Sequence, residues 1–193
     1  MPGGYTSRMT SFTIPGLSEK DGNKVADLLQ KRLSTYNDLH LTLKHVHWNV
    51  VGPSFIGVHE MIDPQVELVR GYADEVAERI AALGKSPQGT PGAILKDRTW
   101  DDYSVDRDTV QAHLAALDLV YTGVIEDTRK CIDTFEDLDL VSQDMLINHA
   151  GELEKFQWFV RAHLENAGGQ LANKGAKTER TAATRAKKKA PVK

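Results

Sequence analysis

Apolar side chains recur through most of the chain at the spacing of an α-helix. The first run is Val25, Leu28, Leu29, Leu33, Tyr36, Leu39, Leu43, Val46 and Val50, which lines one face of a helix over about 19–50. Ser18 stands before it as N-cap, with Asp21 in the first turn to complement the positive end. Gly52-Pro53 stops it. A second helix is predicted from about Ser54 to Leu83, ending at Gly84, with Pro64 inside as a source of a kink. A third is expected over about 105–134 behind Ser104 as cap, and a fourth over about 141–167, ended by Gly168-Gly169. The connection Lys85–Tyr103 carries Pro87, Gly89, Pro91 and Gly92, with room for a short helix near Ala93–Lys96.

Four long helices with few strand signals predict an all-α bundle, and the long middle connection predicts a crossover rather than plain up-and-down topology. Three segments result: an N-terminal arm (1–17), the bundle (18–167) and a tail (168–193) with so little to bury that it should be disordered alone.

Composition narrows the function classes. Apolar residues are 40% and charged residues 26% of 193, which excludes collagen-like and wholly disordered chains. A single cysteine, Cys131, cannot close an intramolecular disulfide, so a reducing cytoplasmic setting is expected. No apolar run approaches the ~18 residues of a membrane span, and the first residues lack the apolar stretch of a signal peptide. Net charge is −3, but unevenly placed. From residue 166 onward eight basic residues face one acid, Glu179, giving +7 and leaving −10 on the other 165 residues. An acidic body with a basic tail points to two tasks.

The residues with most chemical content are His47, His59, Asp63, Asp74 and Glu78. Residues 59 and 63 share a helix face, as do 74 and 78. Imidazole with carboxylate suits iron, zinc or manganese. Asp63 and Asp74 lie about 16 Å apart along a straight helix, and His59 and Glu78 about 28 Å. Metal–ligand bonds are only about 2 Å, so one helix cannot bring both pairs to one ion. An antiparallel copy of the same helix can, and a two-fold dimer would then hold two shared sites. The chain contains no Glu-x-x-His, so the di-iron site enclosed within a single bundle is not expected. Singly, each residue also reads as an ordinary helix-surface group. His45, His113, His149 and His163 are assigned to surface or core.

Residues 47–79, HWNVVGPSFIGVHEMIDPQVELVRGYADEVAER, resemble the signature of the Dps family, the DNA-binding mini-ferritins of starved bacteria. The shared pattern is His47-Trp48-Asn49, Gly52, Phe55, His59-Glu60-Met61-x-Asp63 and Asp74-x-x-x-Glu78-Arg79. The likeness extends over about 18–167, and the arms and basic tail are most similar to mycobacterial members. It implies a ferritin-like four-helix fold with a short extra helix in the crossover, assembled as a homododecameric hollow shell. It implies a ferroxidase centre for two iron ions, Fe(II) passing to Fe(III), between two-fold-related chains. His47 and His59 would come from one chain, with Asp63, Asp74 and Glu78 mainly from its partner. Hydrogen peroxide is the implied oxidant, and ferric oxyhydroxide the stored product. Trp48, beside His47, would be a radical sink or an interface residue. Asp139 and Asp144 are candidates for three-fold pores, or are ordinary loop and early-helix charges.

The tail residues Lys174, Lys177, Arg180, Arg185, Lys187, Lys188, Lys189 and Lys193 can neutralise phosphates, and the tail has no aromatic ring to stack on bases. DNA binding through it would be independent of sequence. With ~6 phosphates contacted per tail, the log–log salt slope would be about −5. The expected location is the cytoplasm, at the nucleoid, with no membrane partner.

Overall fold

In a computed structural model the described residues are 13–189. They form four long helices and two short ones: α1 (Glu19–Asn49), α2 (Phe55–Ala82), α3 (Pro91–Asp97), α4 (Val110–Phe135), α5 (Leu140–Leu164) and α6 (Glu179–Lys189). Ser18 caps α1 as expected, its side chain accepting from the Asp21 N–H. Gly52 takes a φ of +110° in the turn between α1 and α2, and Gly84 takes +81° just beyond α2. Both are left-handed conformations that glycine adopts without a Cβ penalty. Helix α2 runs through Pro64 without interruption.

α1 packs against α2, and α4 against α5. The α2-to-α4 crossover carries α3. It ends where strand β2 (Asp108–Thr109) pairs in parallel with β1 (Val50–Val51), tying the end of α1 to the start of α4. Leu29, Leu39 and Leu43 of α1, Ile62 and Ile80 of α2, Leu114 and Leu117 of α4, and Leu146 and Leu153 of α5 fill the interior at under 2% exposure. Burial of such side chains stabilises by about 1.5–3 kcal/mol each before the entropy of ordering is counted.

Two sequence expectations need correction. The first concerns the start of α4, whose N-cap is Thr109 rather than Ser104; the Thr109 side chain accepts from the Ala112 N–H. Ser104 instead donates from its backbone N–H (2.7 Å) and its hydroxyl (3.1 Å) to the Glu179 carboxylate. The second concerns the tail. The structure carries α6 across the stretch expected to be disordered, docked along α4. Ala182, Ala183 and Ala186 are buried on one face of it, with Ala183 in a small cluster with Val105, Ala112 and Ala116. Three alanines at i, i+1 and i+4 let two helices approach closely. Asn173 fixes the approach, donating to Asp118 Oδ2 (2.8 Å) and the Ala115 carbonyl (3.2 Å).

Candidate metal centre

The last turn of α1 and the first turns of α2 meet around the tight turn at Gly52, which places residue 47 beside residue 59. His47 Nδ1 lies 3.0 Å from the His59 carbonyl, and His59 Nδ1 lies 2.9 Å from the His47 carbonyl. A carbonyl can only accept, so both Nδ1 atoms carry the proton. The rings stack with centroids 3.6 Å apart at 24°. Each histidine is therefore fixed in orientation and tautomer, and its Nε2 lone pair is the one that could serve a metal ion. A backbone carbonyl on the other ring nitrogen is the usual support for a metal-binding histidine.

Asp63 lies beside the two histidines. Its Oδ1 is 3.1 Å from His47 Nδ1 and 2.9 Å from Lys44 Nζ. The Lys44 hydrogen bond, helped by the two histidines, holds the Asp63 carboxyl below its ordinary range. Helical spacing alone joins 59 and 63 on one face, and the structure follows it: Asp63 sits with the histidines of its own chain, not apart from them. Sequence reasoning missed Lys44 and the reciprocal histidine–carbonyl bonds. Lys44 was findable, since it precedes His47 by one helical turn.

Asp74 and Glu78 are not brought to this place. Both are exposed on α2, and neither makes a hydrogen bond or ion pair among the described residues. In one chain, among the described residues, no group of three or more His, Cys, Asp or Glu side chains converges to hold a metal ion. Trp48 (70% exposed) and Ile56 (57%) also lie on this part of the surface, and Phe55 leans on His59 with centroids 5.0 Å apart. Lys44 Nζ lies 5.8 Å from the Trp48 ring.

The two pore candidates differ. Asp144 is exposed. Asp139 is the N-cap of α5, accepting from the Ser142 N–H, and pairs with Arg79 at 2.6 Å with only 9% of its side chain exposed. Burial alone would raise its pKa, but Ser142 and Arg79 hold it below the ordinary range. Its carboxylate is engaged within the chain, so it lacks the free face that a pore-lining carboxylate would offer.

The basic tail residues are partly committed. Lys187 pairs with Asp108 at 2.7 Å, and Arg185 donates to the Lys174 carbonyl at 2.6 Å. Lys174, Lys177, Arg180 and Lys188 are exposed. Lys193 and the side chain of Lys189 lie outside the described residues. Among the described residues no helix is long and apolar enough to cross a membrane.

Comparison with known proteins agrees with this architecture. Residues 26–168 match the ferritin-like domain. Over 181 residues the chain is 83% identical to a DNA protection during starvation protein of Mycolicibacterium smegmatis, covering 94% of this chain and 99% of that one. The chain belongs to the Dps family. A solved structure of Mycobacterium smegmatis Dps is 86% identical with a TM-score of 0.87, covering 88% of this chain and 97% of that one. DpsA14 of Streptomyces coelicolor is 57% identical with a TM-score of 0.83, over 85% and 98% of the two chains. Such likeness makes the Dps-type fold a property of this family member.

Proposed function

We propose that this Dps-family chain is a ferroxidase and iron-storage subunit whose site is completed by a second copy. His47, His59 and Asp63 of one chain would face Asp74 and Glu78 of a two-fold neighbour, holding two ferrous ions as substrate. The observation that carries this reading is the reciprocal His47–His59 pair, which presents two fixed Nε2 ligands next to Asp63. The exposed Trp48 and Ile56 nearby, and the unpaired carboxylates one helix-half away, are what an incomplete site expects of its partner.

Each peroxide accepts two electrons, one from each ferrous ion, and breaks its O–O bond to give two hydroxides. Taking both electrons in one encounter leaves no hydroxyl radical. Carboxylate ligands favour the ferric state, and holding both ions together supplies the orientation. Twelve chains forming a cytoplasmic shell, with pores for which Asp144 remains the candidate and a ferric oxyhydroxide core, would store the product. Basic residues from Lys174 onward would hold the shell on DNA by phosphate contacts alone, at the nucleoid.

Subunit mixing tests the shared site. His47→Ala and Glu78→Ala shells should each oxidise Fe(II) far more slowly than the native shell, read as ferric absorbance after peroxide addition. Unfolded together and reassembled in equal amounts, they should regain activity. Random pairing makes half the dimers mixed, each with one intact site, so about a quarter of all sites return. A mixed shell as inactive as its parents would place the whole site within one chain.

A further inference from the structure

A cavity of about 460 Å³ opens where α1, α4, the crossover and the chain leading into α6 meet. None of His47, His59, Asp63, Asp74 and Glu78 lines it. Leu39 of α1 and Leu119, Val120 and Val124 of α4 give it an apolar floor, and Trp100 and Tyr103 add aromatic rings. Such a size and lining suit a small organic molecule. Gly123 of α4 borders the same space, and a Cβ built on it would meet no heavy atom within 4 Å. Glycine inside a helix lowers its stability, and here the missing side chain leaves room in the cavity.

The charged groups around this floor are acidic but for Lys177, which is exposed. Three of the acids are engaged. Asp38 accepts from Arg98 at 3.2 Å and from Trp100 Nε1 at 2.8 Å, Asp102 pairs with Arg98 at 2.6 Å, and Asp127 pairs with Lys130 at 2.9 Å. Asp101 and Glu126 are exposed, and with Glu179 they hold no ion pair among the described residues. Glu179 accepts both Ser104 bonds on Oε2. Burial, with the charges of Asp38 and Asp101 added, outweighs those bonds and holds its pKa above the ordinary range. A cation beside this carboxylate would relieve the repulsion. Helix α6 runs antiparallel to α4, with Lys187 at Asp108 and Ala183 beside Ala112 and Ala116, so Glu179 stands near the Leu119 end of the cavity. Glu126 stands at the other end, about 10 Å farther along α4. Acids at two ends of an apolar floor do not suit a metal ion, and among the described residues no three His, Cys, Asp or Glu side chains converge to hold one.

We propose that this cavity binds a linear aliphatic polyamine, with its methylenes over Leu119, Val120 and Val124 and its terminal ammonium groups at Glu126 and Glu179. The ammonium ends make charge-assisted hydrogen bonds to the carboxylates, and the chain between them is removed from water against the floor. Glu179 is the first residue of α6, so the bound polyamine also ties α4 to that helix. The cavity shares no residue with the candidate metal centre, and the proposal stands whether or not the ferroxidase reading does.

Isothermal titration of the assembled, metal-free, full-length protein with spermidine tests this. Saturable uptake of one spermidine per chain is expected. Glu126→Gln and Glu179→Gln should each weaken it on the order of 10-fold, the loss of one charge-assisted contact. Glu136 is exposed and outside the cavity, so Glu136→Gln should leave the affinity unchanged. Hexaamminecobalt(III), equal to spermidine in charge but without methylenes, should bind about 10-fold more weakly. Gly123→Phe fills the cavity without removing a charge, and it should abolish uptake at an unchanged rate of ferric formation. Were that variant to misfold, Glu126→Gln at its exposed position keeps the test standing. Equal affinity for hexaamminecobalt(III) and spermidine, or equal weakening by Glu136→Gln and Glu126→Gln, would trace binding to the general charge of the body and overturn the proposal. So would undiminished uptake by folded Gly123→Phe, or a native shell that takes up no spermidine because another chain covers the cavity.

Discussion

The two ends of α2 carry similar acidic groups in opposite states. At its N-terminal end Asp63 is held by Lys44 and by His47, 2.9 and 3.1 Å away. Further along the same helix Asp74 and Glu78 are exposed and hold no ion pair among the described residues. The helix is the same; the neighbours differ. One end lies where α1 delivers two histidines, and the other faces outward. A carboxylate pair that holds no ion pair among the described residues is an ordinary surface in isolation. In the proposed two-fold site, the same pair on a neighbouring chain would supply the other half.

The contrast can be broken most sharply at the open end. Glu78→Ala should slow ferrous oxidation on the order of 100-fold, the upper range for loss of a group that supports a metal site. It should leave the Tm of the chain nearly unchanged, because Glu78 is exposed and makes no hydrogen bond or ion pair among the described residues. Comparable loss of Tm and of oxidation would show that Glu78 acts on the fold instead.

A second contrast sets the bundle against the tail. Deleting residues 178–193 should abolish electrophoretic retardation of DNA and leave iron oxidation intact. This cut retains Asn173, whose bonds to Asp118 are structural. Retardation equal to that of the full chain would move DNA binding to the body.

Asp139 is a buried acid with partners at the far end of α2, and it sharpens the comparison with exposed Glu78. Asp139→Ala should cost about 0.5–2 kcal/mol for the lost cap, measured by denaturant melting. Its sign with pH follows from the depressed pKa. The ionised carboxylate stabilises the fold above the ordinary carboxylate range, and that contribution is lost as pH falls through the depressed value. The Tm of Asp139→Asn should therefore fall less steeply on acidification than that of the native protein. Parallel Tm–pH curves would remove Asp139 from this account.

The smallest effect is expected at Asp108→Asn, which frees Lys187. An ion pair this exposed contributes about 0–1 kcal/mol, so α6 should loosen only slightly, read as faster tryptic cleavage within 180–188. No change in cleavage would mean that the buried alanines alone hold the helix.

The four long helices were legible because burial along one face imposes a period, and a period is local information. The α1 cap at Ser18 and the turn at Gly52 were legible for the same reason. The proposed second copy rests on local information too, since the helical rise fixes the distance from Asp63 to Asp74 whatever surrounds them. Other features depended on residues far apart in the chain. Ser104 has the local pattern of a cap, but its hydrogen bonds go to Glu179, seventy-five residues on. The alanines of α6 acquire a core only because α4 presents Ala112 and Ala116 to them. The stack of Tyr72 on His149, with Tyr36 edge-on to the histidine, became visible only when three helices met. Periodicity tells which face of a helix turns inward; only the assembled packing tells what that face meets, and a side chain's chemistry is set by what it meets.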